Sequence, residues 1–393
     1  MTPTHSGADL SALAELLCTA DPAGFLAGTY ERAPLRVQAR GRDFTGLISI
    51  AAIDDLIARQ PFYEGEISLA RSAPKVGPGD YLREGQADRG AIARLFQQGA
   101  TIILPQLHRR VRALAAYCRS LEAIFSAHVQ TNIYLTPASA QGFETHYDNH
   151  DVFVLQVEGT KRWRLYDSPA GVPFRGERFT PGQYAPGEPS EDFVLQPGDV
   201  LYVPRGMMHD AISEPGAPSL HITTGILVKT WADFLLEAVS EAALKAPELR
   251  RSLPPGHHRD DFDRSVLRER FEAALEAARE TADLDAVADL FADTFLRTRQ
   301  PDLAGAIAGG PVTQETRIRR RPLVQLRLAD ADESHLALVA PGGEILFDKP
   351  AEQALDAFLA GDVLGADDFA ALGPDRGIEA IERLIAFGVA ERV

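Results

Sequence analysis

Five consecutive residues, His146-Tyr147-Asp148-Asn149-His150, put two imidazoles and a carboxylate within reach of one another. In an extended strand, side chains 146, 148 and 150 point to one face, and 147 and 149 to the other. Such a face is a candidate metal site. Two histidines and one carboxylate facing an open coordination side form the donor set of mononuclear non-haem iron(II) centres. Metal–ligand bonds are only about 2 Å long. One ion therefore reaches 146, 148 and 150 together only if the strand bends. His146 and Asp148 are the pair expected at the metal. His150 is expected at the rim, behind the ligands or facing a substrate.

The third donor must come from a distant strand that pairs nearby. The stretch Gln-Pro-Gly-Asp-Val-Leu-Tyr-Val-Pro-Arg-Gly-Met-Met-His, residues 196–209, offers one. Gly198-Asp199 reads as a tight turn, Val200–Val203 as an apolar strand, and Pro204 as its end. His209 follows. A Gly-Asp turn, an apolar strand and a Pro-x-Gly-x-x-His ending recur in cupin barrels, where this histidine is a ligand. Lys161 is the remaining candidate. Residues 151–167 read as strand, turn at Glu158-Gly159, and strand. By alternation Lys161, Trp163 and Leu165 share one face, which favours a lysine turned to the core. A buried ammonium requires an anion.

These residues need a β scaffold. From 129 onward, short β-rich runs are bounded by Gly and Pro, the pattern of a sandwich or barrel. Before them, 10–17 and 50–59 carry helical apolar spacing. From 229 to 304 the texture is helical, rich in Ala, Glu and Arg, and broken by Arg-Arg-Ser-Leu-Pro-Pro-Gly at 250–256. Residues 302–314 read as a linker. Residues 315–393 alternate short strands with helices, which fits a small winged-helix-like α+β domain. Three domains are therefore expected, over 1–228, 229–304 and 312–393.

Composition narrows the function. Of 393 residues, 45% are hydrophobic and 24% charged, the profile of a soluble globular protein. The net charge of −16 argues against broad binding to nucleic acid or to an anionic membrane. Residues 312–393 hold nine Lys or Arg against fifteen Asp or Glu, so a DNA-reading role is not expected there. The basic run at 317–322 reads as a solvated strand edge. Two distant cysteines, Cys18 and Cys118, predict no disulfide framework and fit a reducing compartment. No secretory leader is read at Met1–Leu10, and no run is long and apolar enough to span a membrane. The expected location is the cytoplasm.

The segments 132–167, 198–211 and 219–226 resemble the JmjC-type cupin 2-oxoglutarate oxygenases, in particular the ribosomal-oxygenase branch. The order of parts and residues 249–256 resemble that branch as well. The resemblance implies a double-stranded β-helix (cupin jelly roll) catalytic core. It also implies an all-α dimerisation module, a C-terminal winged-helix-like domain and a homodimer. It places Fe(II) on His146, Asp148 and His209. It makes 2-oxoglutarate the co-substrate, its distal carboxylate on Lys161, with Asn132 and Ser219 in the same site. Tyr134, on the face of Asn132, borders the substrate channel together with His150. The sequence departs from the family at Asn149, where an acidic residue or Pro is frequent, and at Tyr30, where the family often has a Trp. The implied reaction is hydroxylation of a protein side chain, at the β-carbon of an Arg or His in a ribosomal protein. A peptide or small natural-product hydroxylase is the alternative within enzymes. A non-catalytic dimeric cupin scaffold is the alternative outside them, but a scaffold has no need of all three ligands and Lys161.

Overall fold

Residues 152–155 are apolar without a break because the strand they form is covered on both faces. Phe153, Leu155 and Val157 pack with helices on one side, while Val152 and Val154 pack against a second sheet on the other. This strand is the centre of a computed structural model that describes residues 9–39, 41–373 and 375–393. The first eight residues, which bear on the leader prediction, lie outside the described part. The chain divides into two units, 1–228 and 229–393.

The first unit holds strands β1 (Leu35–Val37), β2 (Ser68–Ala70), β3 (Leu82–Arg83), β4 (Gln86–Ala87), β5 (Thr101–Leu104) and β6 (His128–Thr136). It continues with β7 (Asp151–Glu158), β8 (Lys161–Leu165), β9 (Glu191–Leu195), β10 (Val200–Val203), β11 (His209–Ser213) and β12 (Ser219–Leu227). Seven of them form one antiparallel sheet in the order β1-β10-β7-β12-β6-β5-β2, and β11-β8-β9 form a smaller one. Trp163, Leu165, Phe193 and Leu195 of the small sheet meet Val152, Val154, Leu201 and Val203 of the large one. Full burial of each such side chain contributes about 1.5–3 kcal/mol.

The other face of the large sheet is closed by helices α1 (Ser11–Leu17), α2 (Pro22–Gly28), α3 (Ile50–Arg59), α4 (Arg89–Gln97) and α5 (Arg112–Phe125). On α5, Leu114, Cys118 and Leu121 recur at one-turn spacing and are buried. Both cysteines are free thiols, Cys118 buried and Cys18 half-buried. Ser49 caps α3 by accepting from Ala52 N, and Asp88 caps α4 by accepting from Ala91 N.

The expected strand over 146–150 does not form. Only His146 makes a bridge, with His209, and residues 147–150 are irregular before β7 starts at Asp151. The turn expected at Glu158-Gly159 forms one residue later, at 159–160, because Glu158 still belongs to the strand. Gly159 sits at φ 62°, and a Cβ there would lie 2.1 Å from the Pro218 carbonyl oxygen. Only glycine fits this hairpin, which sets Lys161 as the first residue of β8.

In the second unit, α6 (Trp231–Lys245), α7 (Ser265–Thr281) and α8 (Leu284–Arg297) precede β13 (Ile318–Arg320), β14 (Arg327–Asp330), β15 (His335–Ala340) and β16 (Gly343–Asp348). Helix α9 (Glu352–Ala360), helix α10 (Arg376–Ala386) and β17 (Ala390–Arg392) complete it. The helical run at 264–298 is two helices, because Asp283 caps α8 by accepting from Ala286 N. β14, β15 and β16 form a meander, and β13 pairs with β17. The basic run at 317–322 is only partly a solvated edge. Arg319 pairs with Glu391, but Arg321 is buried and donates to the carbonyls of Gly388, Ala304 and Ala390. Among the described residues, no helix is long and apolar enough to cross a membrane.

Candidate metal centre and its cavity

His146 and His209 are brought together by backbone. His146 N donates to His209 O at 3.1 Å, and His209 N donates to His146 O at 2.7 Å. This single bridge sets the two rings 4.7 Å apart, centre to centre. The chain between 146 and 148 then turns, so that Asp148 Oδ2 lies 3.7 Å from His209 Nε2. One donor atom from each of His146, Asp148 and His209 falls within 4.8 Å of the others. Among the described residues, this is the one group of His, Cys, Asp or Glu with that geometry.

The rings are also oriented. His146 Nδ1 lies 2.8 Å from Glu144 O, and His209 Nδ1 lies 3.0 Å from Met207 O. A carbonyl only accepts, so Nδ1 carries the proton in both rings and Nε2 keeps its lone pair. Asp148 is tethered through its own carbonyl, which accepts from Gly206 N at 2.9 Å. Burial drives the His209 imidazole down to about 4, helped by His146 beside it. The ring is therefore neutral near pH 7, the state a metal needs. Burial acts to raise Asp148, but His209, His150 and His146 together outweigh it and lower its pKa.

The three residues open into a cavity of about 70 Å³ between the two sheets. Lys161 lines its inner part and is 4% exposed. Its Nζ donates to Thr136 Oγ1 at 3.0 Å and lies 3.5 Å from His221 Nδ1. Both partners are neutral. Burial brings the amine down to about 7. An ammonium so placed is matched by an anion entering the cavity.

The other expected site residues divide. Tyr134 lines the cavity, its ring stacked on His221 at 4.9 Å and 1°. Asn132 uses Oδ1 to accept from Gln106 N at 3.1 Å and is not among the cavity-lining residues. Ser219 is fully buried, its Oγ accepting from Gln156 Nε2 at 2.9 Å, and does not line the cavity either. In the pairing of β12 with β7 the register shifts between Leu220 and His221, where Val157 of β7 is left without a partner. His150 stands apart from the three donors and lies against Gly225, where a Cβ would come within 2.5 Å of its ring. The absence of a side chain at 225 makes room for it.

His221 and Thr223, on β12, line the cavity and were not singled out from sequence. The signal for them was present in the period-two spacing of Leu-His-Ile-Thr. Thr136 was missed because its role depends on pairing across β6 and β12.

A JmjC domain model matches residues 106–234, which contain the three donors, Lys161 and His221. Residues 106–234 of this chain thus carry the JmjC domain pattern. The two facing antiparallel sheets are the cupin fold of the JmjC domain. Curated relatives include a bifunctional lysine-specific demethylase and histidyl-hydroxylase NO66 of Drosophila persimilis. It is 34% identical over 249 residues, covering 62% of this chain and 36% of that protein. Mouse ribosomal oxygenase 2 is 35% identical over 237 residues, covering 57% of this chain and 50% of that one. The matched stretch thus spans half or less of these relatives' length. Among solved structures, the Escherichia coli ribosomal oxygenase YcfD aligns over 94% of this chain and 97% of its own. The TM-score is 0.56 and the identity 18%, a likeness of fold. A YcfD structure with cobalt and 2-oxoglutarate aligns over the same shares at 0.53 and 18%.

Proposed function

We propose that this chain is an Fe(II)- and 2-oxoglutarate-dependent oxygenase that hydroxylates a protein side chain, with His146, Asp148 and His209 as iron ligands. The observation that carries this reading is one cavity holding both the His-Asp-His donor set and a buried lysine that, among the described residues, pairs only with neutral groups. The residues fit the absent groups. Two neutral Nε2 atoms and one carboxylate suit iron(II) and leave positions open. Lys161 suits the far carboxylate of a dicarboxylate co-substrate. When bound, iron and co-substrate supply the activation of O2 needed to insert one oxygen atom into an unactivated C–H bond.

The chain's own residues bind, orient and exclude water. The Nδ1–H groups of His146 and His209, held by the carbonyls of Glu144 and Met207, keep both Nε2 atoms turned to the metal. Lys161 fixes the co-substrate from its far end, which sets its reacting end at the metal. Val152, Val154 and Trp163 wall the cavity with buried apolar surface and keep water from the reacting centre. Tyr134 borders the space left for substrate.

The names of the relatives, histidyl-hydroxylase and ribosomal oxygenase, support a side chain of a ribosomal protein as the target; the proposed position is the β-carbon of a His or Arg. The exposed apolar residues of α6 support a homodimer. The test of activity is succinate formation from 2-oxoglutarate with Fe(II), which is expected to vanish in His209→Ala. Full turnover in that variant would sink the assignment of the third ligand. The target is tested by mass spectrometry of ribosomal proteins from cells with and without the gene. One residue is expected to differ by a single oxygen atom.

A further inference from the structure

His221 is a buried histidine on the cavity wall, and none of the roles above uses it. It is 3% exposed and faces the cavity from β12, opposite Tyr134 on β6. Its ring is fixed on two sides. It stacks flat on Tyr134 at 4.9 Å and meets the edge of Trp163 at 5.6 Å. Its Nδ1 points at Lys161 Nζ, 3.5 Å away, with Thr136 Oγ1 on the same nitrogen at 3.0 Å.

We propose that His221 is a positioning residue whose Nδ1 accepts from Lys161 and, with Thr136, aims the amine at the distal carboxylate of the co-substrate. The inference rests on the functional reading above. An ammonium offers three protons. Two acceptors at fixed places take two of them and leave the third directed into the cavity. A lysine on a four-carbon stem is otherwise mobile, and aiming it lowers the ordering cost of binding. Burial first, and then the charge of Lys161, lower the His221 pKa well below its ordinary value. The ring is therefore neutral, and with Nδ1 as acceptor its proton sits on Nε2. At 3.5 Å the contact is long for a hydrogen bond. It has room to shorten when a carboxylate arrives and holds the proton on the amine.

Two variants separate aiming from simple packing. His221→Leu keeps bulk and loses the acceptor. His221→Asn loses the ring, while its Oδ1 reaches the position of Nδ1. Affinity for 2-oxoglutarate is measured by calorimetry with Mn(II) under exclusion of oxygen, alongside thermal stabilisation by Mn(II) alone. Mn(II) stabilisation is expected to be unchanged in both, because the three ligands are untouched. The affinity is expected to fall about tenfold or more in His221→Leu and to stay within about threefold of wild type in His221→Asn. In turnover, the loss should appear in KM and leave kcat in place. Equal affinity in all three proteins would overturn the proposal. An equal loss in both variants would overturn it too, since only the stacked ring would then matter. Wild-type protein that binds Mn(II) but no 2-oxoglutarate would overturn the functional reading and this inference with it.

Discussion

Lys161 holds its amine where water does not reach, and that has a measurable consequence. In the folded protein burial sets its pKa at about 7, against an ordinary 10.5. Between these values the unfolded chain binds more protons than the folded one, so stability rises with pH across the window. The sign is that of a lysine depressed by burial. The destabilising contribution is fully present below about pH 7 and is relieved as pH approaches the unfolded value. Lys161→Met removes it. The ligand-free wild type should therefore gain on Lys161→Met between pH 7 and 9 in thermal unfolding. A flat difference would show that the amine is solvated. With Mn(II) present, the 2-oxoglutarate requirement of the variant should rise about tenfold or more, because a charged partner is lost. Lys161 was legible in the sequence because a hairpin turn and period-two alternation both placed it inward. Its partners Thr136 and His221 were not. Which hydroxyl or imidazole meets a given amine is decided by strand pairing 25 and 60 residues away.

The loop carrying His146 and Asp148 and the loop before His209 are held by a buried charge pair. Arg205 donates to Asp151 Oδ2 at 2.6 Å and to Glu31 Oε1 at 2.5 Å, and Tyr202 OH donates to Asp151 Oδ1 at 2.6 Å. Asp151 is fully buried and Arg205 nearly so. Next to this pair, Gly206 N holds the Asp148 carbonyl. Arg205→Met leaves the Asp151 carboxylate buried without its cation. Urea unfolding should show a loss of about 3–5 kcal/mol, and Mn(II) affinity should fall in the protein that remains folded. A variant within about 0.5 kcal/mol of wild type would be an ordinary surface change, and the pair would not hold the loops. A second element-level test is Gly225→Ala, which drives a methyl group into the His150 ring. Overpacking of this kind costs about 1–3 kcal/mol, and an unchanged midpoint would mean that His150 moves freely. The strands of the core were readable from their apolar runs and Gly-Pro boundaries. The irregular path of 147–150 was not, because an alternation of polar residues looks like a strand until its pairing partner is known. The partner of Ser219 was hidden for a related reason: Gln156, whose Nε2 its Oγ accepts from, lies on β7, 63 residues away.

The second unit joins two textures that look like separate domains in sequence. Arg327, at the start of β14, pairs with Asp289 at 2.6 Å and Asp293 at 2.7 Å on α8. Arg297 of α8 pairs with Glu344 of β16 at 2.7 Å. Charges distributed along a helix and two strands carry no pairing code, so this joining was invisible before folding. The helical character itself was plain, and so was a surplus of apolar residues on α6. Ala238 and Ala242 are buried within the unit, while Trp231, Leu236 and Leu235 remain 79%, 71% and 59% exposed. Three large apolar side chains left outward within six residues make a face suited to a second copy of the same helix, across a two-fold axis. Light scattering should therefore give twice the chain mass for the wild type. Replacing both Trp231 and Leu236 by Glu would bury two uncompensated carboxylates at that contact. Loss of central anchors of this kind weakens association by about 2 kcal/mol or more each, enough to yield monomers at micromolar concentration. Binding of Mn(II) and 2-oxoglutarate should persist in those monomers, since the cavity is built entirely from residues 101–223 of the first unit. A wild type that runs as a monomer would refute the pairing, and a double variant that stays dimeric would move the contact to another face.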